Sequence, residues 1–366
     1  MKRFLALILA AGLMASAMAG CGDIASTSNK DSSVGDSDSG DESDESSGYQ
    51  LREDLADRKI GISVSSLRGN YMKVFRTSLM NRVKKLGFKS SNISIYENNG
   101  DLDLELKMID LLIESDVDQI LVCPNDSAEV SVITDKIVAS GKPLIYFNYV
   151  PAEAERERWT ANNWNVTCVG ADRAQVGKLQ ADLVSSIGME NLDMNHNGYI
   201  DYVMVEGPAD NPLSALRRDS FVSAMDASGL PVQCLDDRSA DWDRETAFNI
   251  VSEDLQMLGN NIEVVICQND AMALGAMLAI QMADRIVSSD IYLIGVDCDL
   301  EAIENIRQGT MTGSVFVDGS TQATAVITNI MNNFDGLKNE TVTYVDYVLV
   351  TATNAENVQG ILEHPV

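Results

Sequence analysis

Residues 118–148 read DQILVCPNDSAEVSVITDKIVASGKPLIYFN, a stretch with two apolar runs separated by an amphipathic segment. Ile120–Cys123 and Leu144–Asn148 are short and apolar, which is typical of buried strands. Between them, Asp126 and Glu129 form a capping box that predicts the start of a helix. The Gly-Lys-Pro sequence before the second run predicts the end of that helix. A strand–helix–strand unit of this kind predicts two parallel strands in a sheet covered by the connecting helix.

The same alternation continues on both sides of this unit. Further strands are predicted at Lys59–Ser63, Tyr202–Glu206, Val232–Leu235, Val264–Cys267, Tyr292–Val296 and Ser314–Val317. Further helices are predicted at 71–86, Arg173–Ile187, Leu213–Ser228 and Asp270–Ala283. The pattern indicates an α/β fold with parallel sheets flanked by helices, either one barrel or two open sheets. No site-bearing residue recurs at every strand end, which favours two open sheets, and open sheets bind ligands beyond the carboxyl ends of their strands.

Composition restricts the function. The chain has 366 residues, with 27 Lys and Arg against 55 Asp and Glu, and a formal charge of −28. The length suits two or three domains. Such an acidic chain lacks the clustered basic residues that bind nucleic acid. Only two His are present, which leaves little room for His-based catalysis.

The first residues predict export. A short basic start, the apolar run up to Met18 and the Ala-Gly-Cys ending resemble a bacterial lipoprotein signal over residues 1–20, with Cys21 as the lipidated residue. An ordinary cleaved signal peptide is the alternative. Residues 21–57 are rich in Ser, Asp, Gly and Glu, so we expect a disordered acidic tether. The five remaining cysteines are expected to be free thiols, with one disulfide as the alternative.

A calcium loop is predicted at residues 193–201, DMNHNGYID. Oxygen-bearing side chains occur at loop positions 1, 3, 5 and 9, Gly at 6, and position 7 supplies a carbonyl. Position 12, where an EF-hand has Glu, is Met204, so another segment must complete the shell. The predicted ligands are Asp193, Asn195, Asn197, Tyr199, Asp201 and Glu263. The alternative is a simple turn, since Asn, Asp and Gly are turn residues.

The calcium loop, IEVVICQNDAMALGAM at 262–277 and LIGVDCDLEAI at 293–303 together carry a resemblance. The chain resembles the exported glucose/galactose-binding proteins of ABC transporters, in the type I periplasmic-binding-protein class. The resemblance implies the same six calcium ligands and two Rossmann-like lobes joined by a three-strand hinge that close on a sugar. The expected first lobe is 58–169 plus 318–350, and the expected second lobe is 170–317 plus 351–366.

The resemblance also implies the sugar-binding residues. Tyr71 and Trp242 match two aromatic plates that sandwich a pyranose ring, because flat rings bury the apolar C–H faces of a sugar. The rim positions are Asn148, Asn211, Arg217, Asn269 and Asp297, of which Asn211 replaces a His of the family. Gly69, Leu213 and Val317 also depart from the family, where Asp, Asp and Asn occur. We therefore expect a related sugar with fewer or differently placed hydroxyls, or a derivative whose extra group fills the space at Gly69.

Several of these residues have a structural alternative. Tyr71 and Trp242 fit packed aromatic positions, and Arg217 fits the surface of a helix. Asn269 and Asp270 fit a helix N-cap, which Asp270 alone could provide.

Two functions follow from the resemblance. The first is a binding lipoprotein that delivers a monosaccharide to an ABC permease at the outer face of the cell membrane or in the periplasm. The second is a signalling co-receptor with the same clamp and a chemoreceptor or sensor kinase as its partner. We expect a monomer without enzymatic activity, since no nucleophile has a neighbouring base in the sequence.

Overall fold

The computed structural model describes residues 50–125 and 127–365. The predicted export signal, Cys21 and the capping residue Asp126 lie outside these residues, as does the tether up to residue 49. The strands are β1 Ile60–Val64, β2 Ile93–Glu97, β3 Gln119–Cys123, β4 Leu144–Phe147, β5 Val166–Gly170, β6 Ile200–Glu206, β7 Val232–Ser239, β8 Val264–Cys267, β9 Tyr292–Ile294, β10 Ser314–Val317, β11 Val342–Tyr344 and β12 Tyr347–Val350. The helices are α1 Asn70–Leu86, α2 Leu102–Glu114, α3 Val130–Ala139, α4 Glu153–Ala161, α5 Gln175–Ile187, α6 Met189–Leu192, α7 Pro212–Ser228, α8 Arg244–Leu258, α9 Asp270–Met282, α10 Leu300–Gln308, α11 Gly319–Phe334 and α12 Ala355–Glu363.

The first lobe is built on a six-stranded sheet with the order β11-β5-β4-β3-β1-β2. All its strand pairs are parallel. The residues of β1, β3, β4 and β5 are all buried, as expected for inner strands of a parallel sheet covered by helices on both faces. The predicted parallel arrangement of the 118–148 unit is confirmed.

The second lobe contains a four-stranded parallel sheet with the order β7-β6-β8-β9. β10 continues this sheet through a parallel bridge between Ile294 and Gly313, and β12 pairs with β10 in the antiparallel direction. Three chain segments connect the lobes, one between β5 and α5, one between β10 and α11, and one between β11 and β12. Two open sheets, rather than one barrel, are therefore present.

Two expected boundaries differ from the structure. Tyr347–Val350, assigned to the first lobe from the sequence, pairs with β10 and lies with the second lobe, because its backbone completes the edge of β10. Residues 53–55, expected in the tether, form a turn of 3₁₀ helix in which Leu55 is fully buried in the core of the first lobe. Burial of the apolar Leu55 side chain in this core stabilises the 3₁₀ turn, and this stabilisation outweighs the solvation that the same residues would have in an acidic tether.

The five cysteines of the described residues are free thiols, as expected. Cys123, Cys168, Cys267 and Cys298 are buried, whereas Cys234 is exposed. Within residues 50–125 and 127–365, every helix is too short or too polar to span a lipid bilayer.

Candidate ligand-binding cleft

The predicted residues of the second lobe follow its strands at their carboxyl ends. Asn211 and Arg217 follow β6, Trp242 follows β7, Asn269 follows β8 and Asp297 follows β9. Parallel strands of one sheet end at the same edge, so the fold gathers these side chains into one region.

Arg217, Trp242 and Asp297 form a contact cluster at this edge. The guanidinium of Arg217 lies over the Trp242 ring, with its Cζ 5.5 Å from the ring centroid. Arg217 Nη2 lies 3.9 Å from Asp297 Oδ1, and Nη1 donates to the carbonyl of Gln268. Arg217 is 7% exposed, so the surface-helix alternative is wrong. Its Nε has no hydrogen-bond partner among the described residues, which leaves one buried donor for a further acceptor.

Asp297 combines an unusual backbone with a raised pKa. Its φ is +102°, and Trp242 also has a positive φ of +64°. Such conformations cost energy in non-glycine residues and concentrate at binding sites. Half of the Asp297 side-chain surface is open, yet the walls of the cleft remove enough water to raise the pKa of Asp297 to about 6, against the opposing effect of Arg217.

A glycine holds the Trp242 ring in position. A Cβ atom at Gly207 would lie 2.1 Å from Trp242 Cζ2, so only a glycine permits this close approach. The ring also packs against the core of the second lobe. Trp242 therefore packs against the core, as its structural alternative predicted, and also contacts Arg217 in the cluster.

Two asparagines cap helices at the cleft. Asn211 Oδ1 accepts from the Leu213 backbone N–H at 2.9 Å, and Asn269 Oδ1 accepts from the Met272 backbone N–H at 2.9 Å. Asn269, rather than Asp270, is thus the N-cap of α9. Because each side-chain oxygen is used by its helix, the amide NH₂ groups are the free polar ends of both residues.

The first lobe contributes Tyr71 and Asn148. The Tyr71 hydroxyl donates to Gln322 Oε1 at 2.8 Å, and its ring lies 5.9 Å from the Phe75 ring. Asn148, at the end of β4, has a φ of +57°. No ring contact joins Tyr71 to Trp242 in the described part of the chain, so the structure shows each predicted plate in its own lobe.

Sequence reasoning missed three residues of this region. Burial raises the pKa of Tyr347, and Arg217 and Asp297 both act on it, which places it next to the cluster at the third connection between the lobes. Asp270 is fully buried, accepts from Ser314 Oγ at 2.8 Å, and has a pKa well above its ordinary value because of desolvation. Gln322 fixes the Tyr71 hydroxyl. Tyr347 and Gln322 stand in no recognisable motif, and the sequence indicated Asp270 only as a possible helix cap.

A hydrogen bond joins the two lobes next to the cluster. Asn70 Nδ2, at the start of α1 in the first lobe, donates to Asp299 Oδ1 in the second lobe at 2.8 Å. The Asp299 backbone N–H in turn donates to Asp270 Oδ2 at 2.8 Å. The two lobes therefore touch next to the predicted ligand residues Tyr71 and Asp297.

The predicted calcium loop closes around Glu263. Glu263 is fully buried; Oε1 accepts from the backbone N–H groups of Met194 (2.6 Å) and Asn195 (3.2 Å), and Oε2 accepts from that of Asp201 (2.9 Å). Burial raises the pKa of Glu263, and these three bonds act in the opposite direction. Glu263 thus joins the start and the end of the loop through backbone hydrogen bonds.

The side chains of the predicted calcium loop are hydrogen-bonded to one another. Asn195 and Asn197 both direct their Nδ2 atoms at Asp201 Oδ2, at 2.9 and 2.7 Å. Asp201 is buried, and its other oxygen, Oδ1, has no hydrogen-bond partner among the described residues. No group of three or more His, Cys, Asp and Glu side chains there is arranged for a metal ion. However, half of the predicted shell is two amide oxygens and one carbonyl oxygen, which are ordinary calcium ligands.

Comparisons with known proteins agree with the fold. The periplasmic binding protein domain matches residues 60–338, which is more than half of the chain. The D-galactose/methyl-galactoside-binding periplasmic protein of Haemophilus influenzae is 26% identical over 281 residues, covering 76% of this chain and 82% of the relative. The ribose import binding protein of Bacillus subtilis is 25% identical over 256 residues, covering 70% and 75%.

A solved structure shows the same architecture. An ABC transporter solute-binding protein from Bacillus halodurans with bound myo-inositol superposes with a TM-score of 0.66 at 21% identity, covering 85% of this chain and 100% of that one. The α/β fold with helix-flanked parallel sheets, predicted from the sequence, is confirmed by this likeness.

Proposed function

The chain belongs to the periplasmic binding protein family, whose members bind solutes and are not enzymes, and from this premise we propose that it captures a monosaccharide between its lobes and delivers it to an ABC permease. The Arg217–Trp242–Asp297 cluster carries the proposal. It offers an aromatic face and a carboxylate, each next to the same guanidinium.

The cluster has the chemistry that a sugar needs. The indole face buries apolar C–H groups, while the carboxylate of Asp297 accepts from hydroxyls and the guanidinium of Arg217 donates to one. The amide groups of Asn211 and Asn269 add donors, because their oxygens already cap helices. The relatives named for galactose and ribose binding support a monosaccharide, a hexose or a pentose, as the ligand.

A calcium ion in the 193–201 loop is a second part of the proposal. Asp193, Asn195, Asn197, the Tyr199 carbonyl, Asp201 and Glu263 would hold it. The unpartnered Asp201 Oδ1 supports an ion there, because a buried carboxylate oxygen without a partner is costly. The ion would tie the loop to β8 and stabilise the second lobe.

Export and a lipid anchor at Cys21 complete the proposed role. The names of the relatives describe periplasmic and import proteins, which supports a position outside the cytosol. The Cys after Ala-Gly supports lipidation, and mass spectrometry of the protein purified from membranes would detect a diacylglycerol adduct on Cys21.

Thermal-shift screening against a panel of hexoses and pentoses tests sugar binding. A ligand that binds the folded protein raises its melting temperature by mass action. We expect a shift with at least one sugar, and its loss in Asp297→Ala but not in the exposed control Asp182→Ala. A panel without any shift would refute the assignment.

The alternative role is sensing. The fructose-binding periplasmic domain of a hybrid two-component system shares the fold, with a TM-score of 0.64 at 17% identity. Co-purification of the sugar-loaded protein with a permease supports transport, and co-purification with a histidine kinase supports sensing.

A further inference from the structure

A cavity next to the segments that connect the lobes shares the residue Asn211 with the predicted sugar-binding site. It has a volume of about 800 Å³ and is lined by residues of both lobes and of the connecting segments. Its walls include Asn125, Tyr149 and the β11 residue Tyr344 from the first lobe, and Asn211 from the second. Asn211 is also a predicted sugar-binding residue, so the two spaces are neighbours. A monosaccharide at the cluster would leave this cavity available to a substituent.

Two guanidinium groups belong to the wall of this cavity. Arg156 Nε donates to the Pro151 carbonyl at 2.9 Å, and Arg173 Nη2 donates to the Asn148 carbonyl at 3.3 Å. The two acceptors lie three residues apart in the loop after β4, so both side chains are fixed to the same short segment. Arg173 also stacks over the Tyr149 ring, with its Cζ 4.9 Å from the ring centroid. The remaining N–H groups of both side chains have no partner in the described part of the chain.

The charge surroundings make this arrangement unusual. Asp and Glu outnumber Lys and Arg by 55 to 27 in the chain. Even so, neither Arg156 nor Arg173, both partly buried, has a carboxylate oxygen within 4.0 Å among the described residues. Partly buried cations are screened less by water than exposed ones.

The cavity wall also contains acidic side chains. Glu153, Asp172 and Asp210 line it, and all three are exposed to solvent. Asp172 Oδ1 is engaged by the Ala174 backbone N–H at 3.0 Å. Exposed carboxylates are well solvated, and none of the three pairs with either guanidinium, so both arginines keep N–H donors for another acceptor in this cavity.

Resting on the proposed sugar-binding function, we propose that Arg156 and Arg173 form a subsite for an anionic oxygen group, a carboxylate or a phosphate, carried by the sugar ligand. Guanidinium groups bind both anions through paired, charge-assisted hydrogen bonds. The ligand class is therefore an acidic or phosphorylated monosaccharide.

A purely structural role is the competing explanation. In that case Arg173 holds the hinge through the Asn148 carbonyl and the Tyr149 ring, and ligand charge has no effect on affinity.

Titration calorimetry of the full chain distinguishes the two explanations. The probes are D-galactose and D-glucose, their uronates, their 1- and 6-phosphates, and inorganic phosphate alone. The proteins are the wild type, Arg156→Gln, Arg173→Gln and the control Arg76→Gln, which removes an exposed positive charge of α1. Circular dichroism verifies the fold of each variant.

We expect at least one anionic derivative to bind about tenfold or more tightly than its neutral parent, with an advantage that shrinks as salt is added. Arg156→Gln and Arg173→Gln should each reduce the ratio of anionic to neutral affinity to about one, whereas Arg76→Gln should retain the wild-type ratio. The uronate and phosphate arms separate the two anion types.

Three outcomes would overturn the subsite. Neutral sugars could bind with no gain from any anionic group, the gain could survive both cavity variants, or inorganic phosphate could bind without any sugar derivative doing so. The first of these leaves the proposed sugar binding intact. If no probe binds at all, the proposed function fails as well. The wild-type preference and its salt dependence decide the question even if a variant does not fold.

Discussion

Replacing Glu263 by Gln tests whether one buried carboxylate holds the 193–201 loop in place. The carboxylate accepts three backbone N–H groups, from Met194 and Asn195 on one oxygen and from Asp201 on the other. A glutamine side chain keeps one oxygen acceptor and directs an NH₂ group at the donor or donors on the other side. At least one buried N–H group then loses its acceptor, and the remaining bonds lose their charge assistance.

The expected cost follows from these contacts. A buried donor without a partner costs about 1–3 kcal/mol, and bonds to charged groups contribute about 1.5–3 kcal/mol where neutral ones contribute about 1 kcal/mol. We therefore expect Glu263→Gln to lower the free energy of unfolding by about 2–5 kcal/mol. This cost is a large part of the free energy of unfolding of a typical domain, which is roughly 5–15 kcal/mol.

Urea unfolding followed by circular dichroism measures the effect. In excess chelator, the difference in free energy of unfolding between wild type and Glu263→Gln measures only the backbone hydrogen bonds to the Glu263 carboxylate. With calcium added, the wild type should gain stability, by about 2.7 kcal/mol at a concentration one hundred times the dissociation constant, and Glu263→Gln should gain much less. The control Glu245→Gln changes an exposed Glu in the first turn of α8 and should stay within about 0.5 kcal/mol of wild type.

Two results would contradict this reasoning. A change of less than about 1 kcal/mol for Glu263→Gln in chelator would show that the loop does not depend on the carboxylate. An equal response of wild type and Glu263→Gln to calcium would remove Glu263 from the ion's shell, and a wild type that ignores calcium would remove the ion.

The remaining predictions concern the cleft and the core. Gly207→Val should displace the Trp242 ring, since even a Cβ there lies 2.1 Å from it, and calorimetry should show sugar binding lost while circular dichroism stays native. Burial raises the pKa of Glu105 to about 7, so its stabilising contribution is present below about 4.5 and is lost as pH rises to 7. The free energy of unfolding of Glu105→Gln should thus exceed that of wild type by about 1–3 kcal/mol at pH 8 and equal it at pH 4. Equal values at pH 8 would contradict the shift. Asn70→Ala removes the bond to Asp299 across the cleft and should weaken sugar binding up to about tenfold through the open state, and an unchanged affinity would show that this bond does not favour closure.

Local patterns predicted much of the fold. Apolar runs such as Val264–Cys267 form strands wherever they are buried on both faces, and the spacing of Asp193 to Asp201 predicts the turns that Glu263 closes. The carboxyl-end rule for open sheets also predicted that Arg217 and Asp297 would come together, because it needs only the strand order along the chain.

Contacts between distant residues were not readable in the same way. β12 lies with the second lobe because its backbone pairs with the edge of β10. Residues 53–55 are part of the folded first lobe because Leu55 packs in its core. Asp270 looks like a helix cap in the sequence, yet Asn269 takes the cap and Asp270 turns inward to Ser314.

By itself, the sequence determined the alternation of strands and helices, the oxygen-rich loop and the set of polar residues at strand ends, since each depends on neighbours within a few positions. Only the tertiary structure decided how the lobes divide, which of those polar residues touch, and that Arg156 and Arg173 share one cavity. Within residues 50–125 and 127–365, neither arginine has a carboxylate partner there. Those outcomes depend on which surfaces exclude water from one another, and that is settled when segments far apart in the chain pack together.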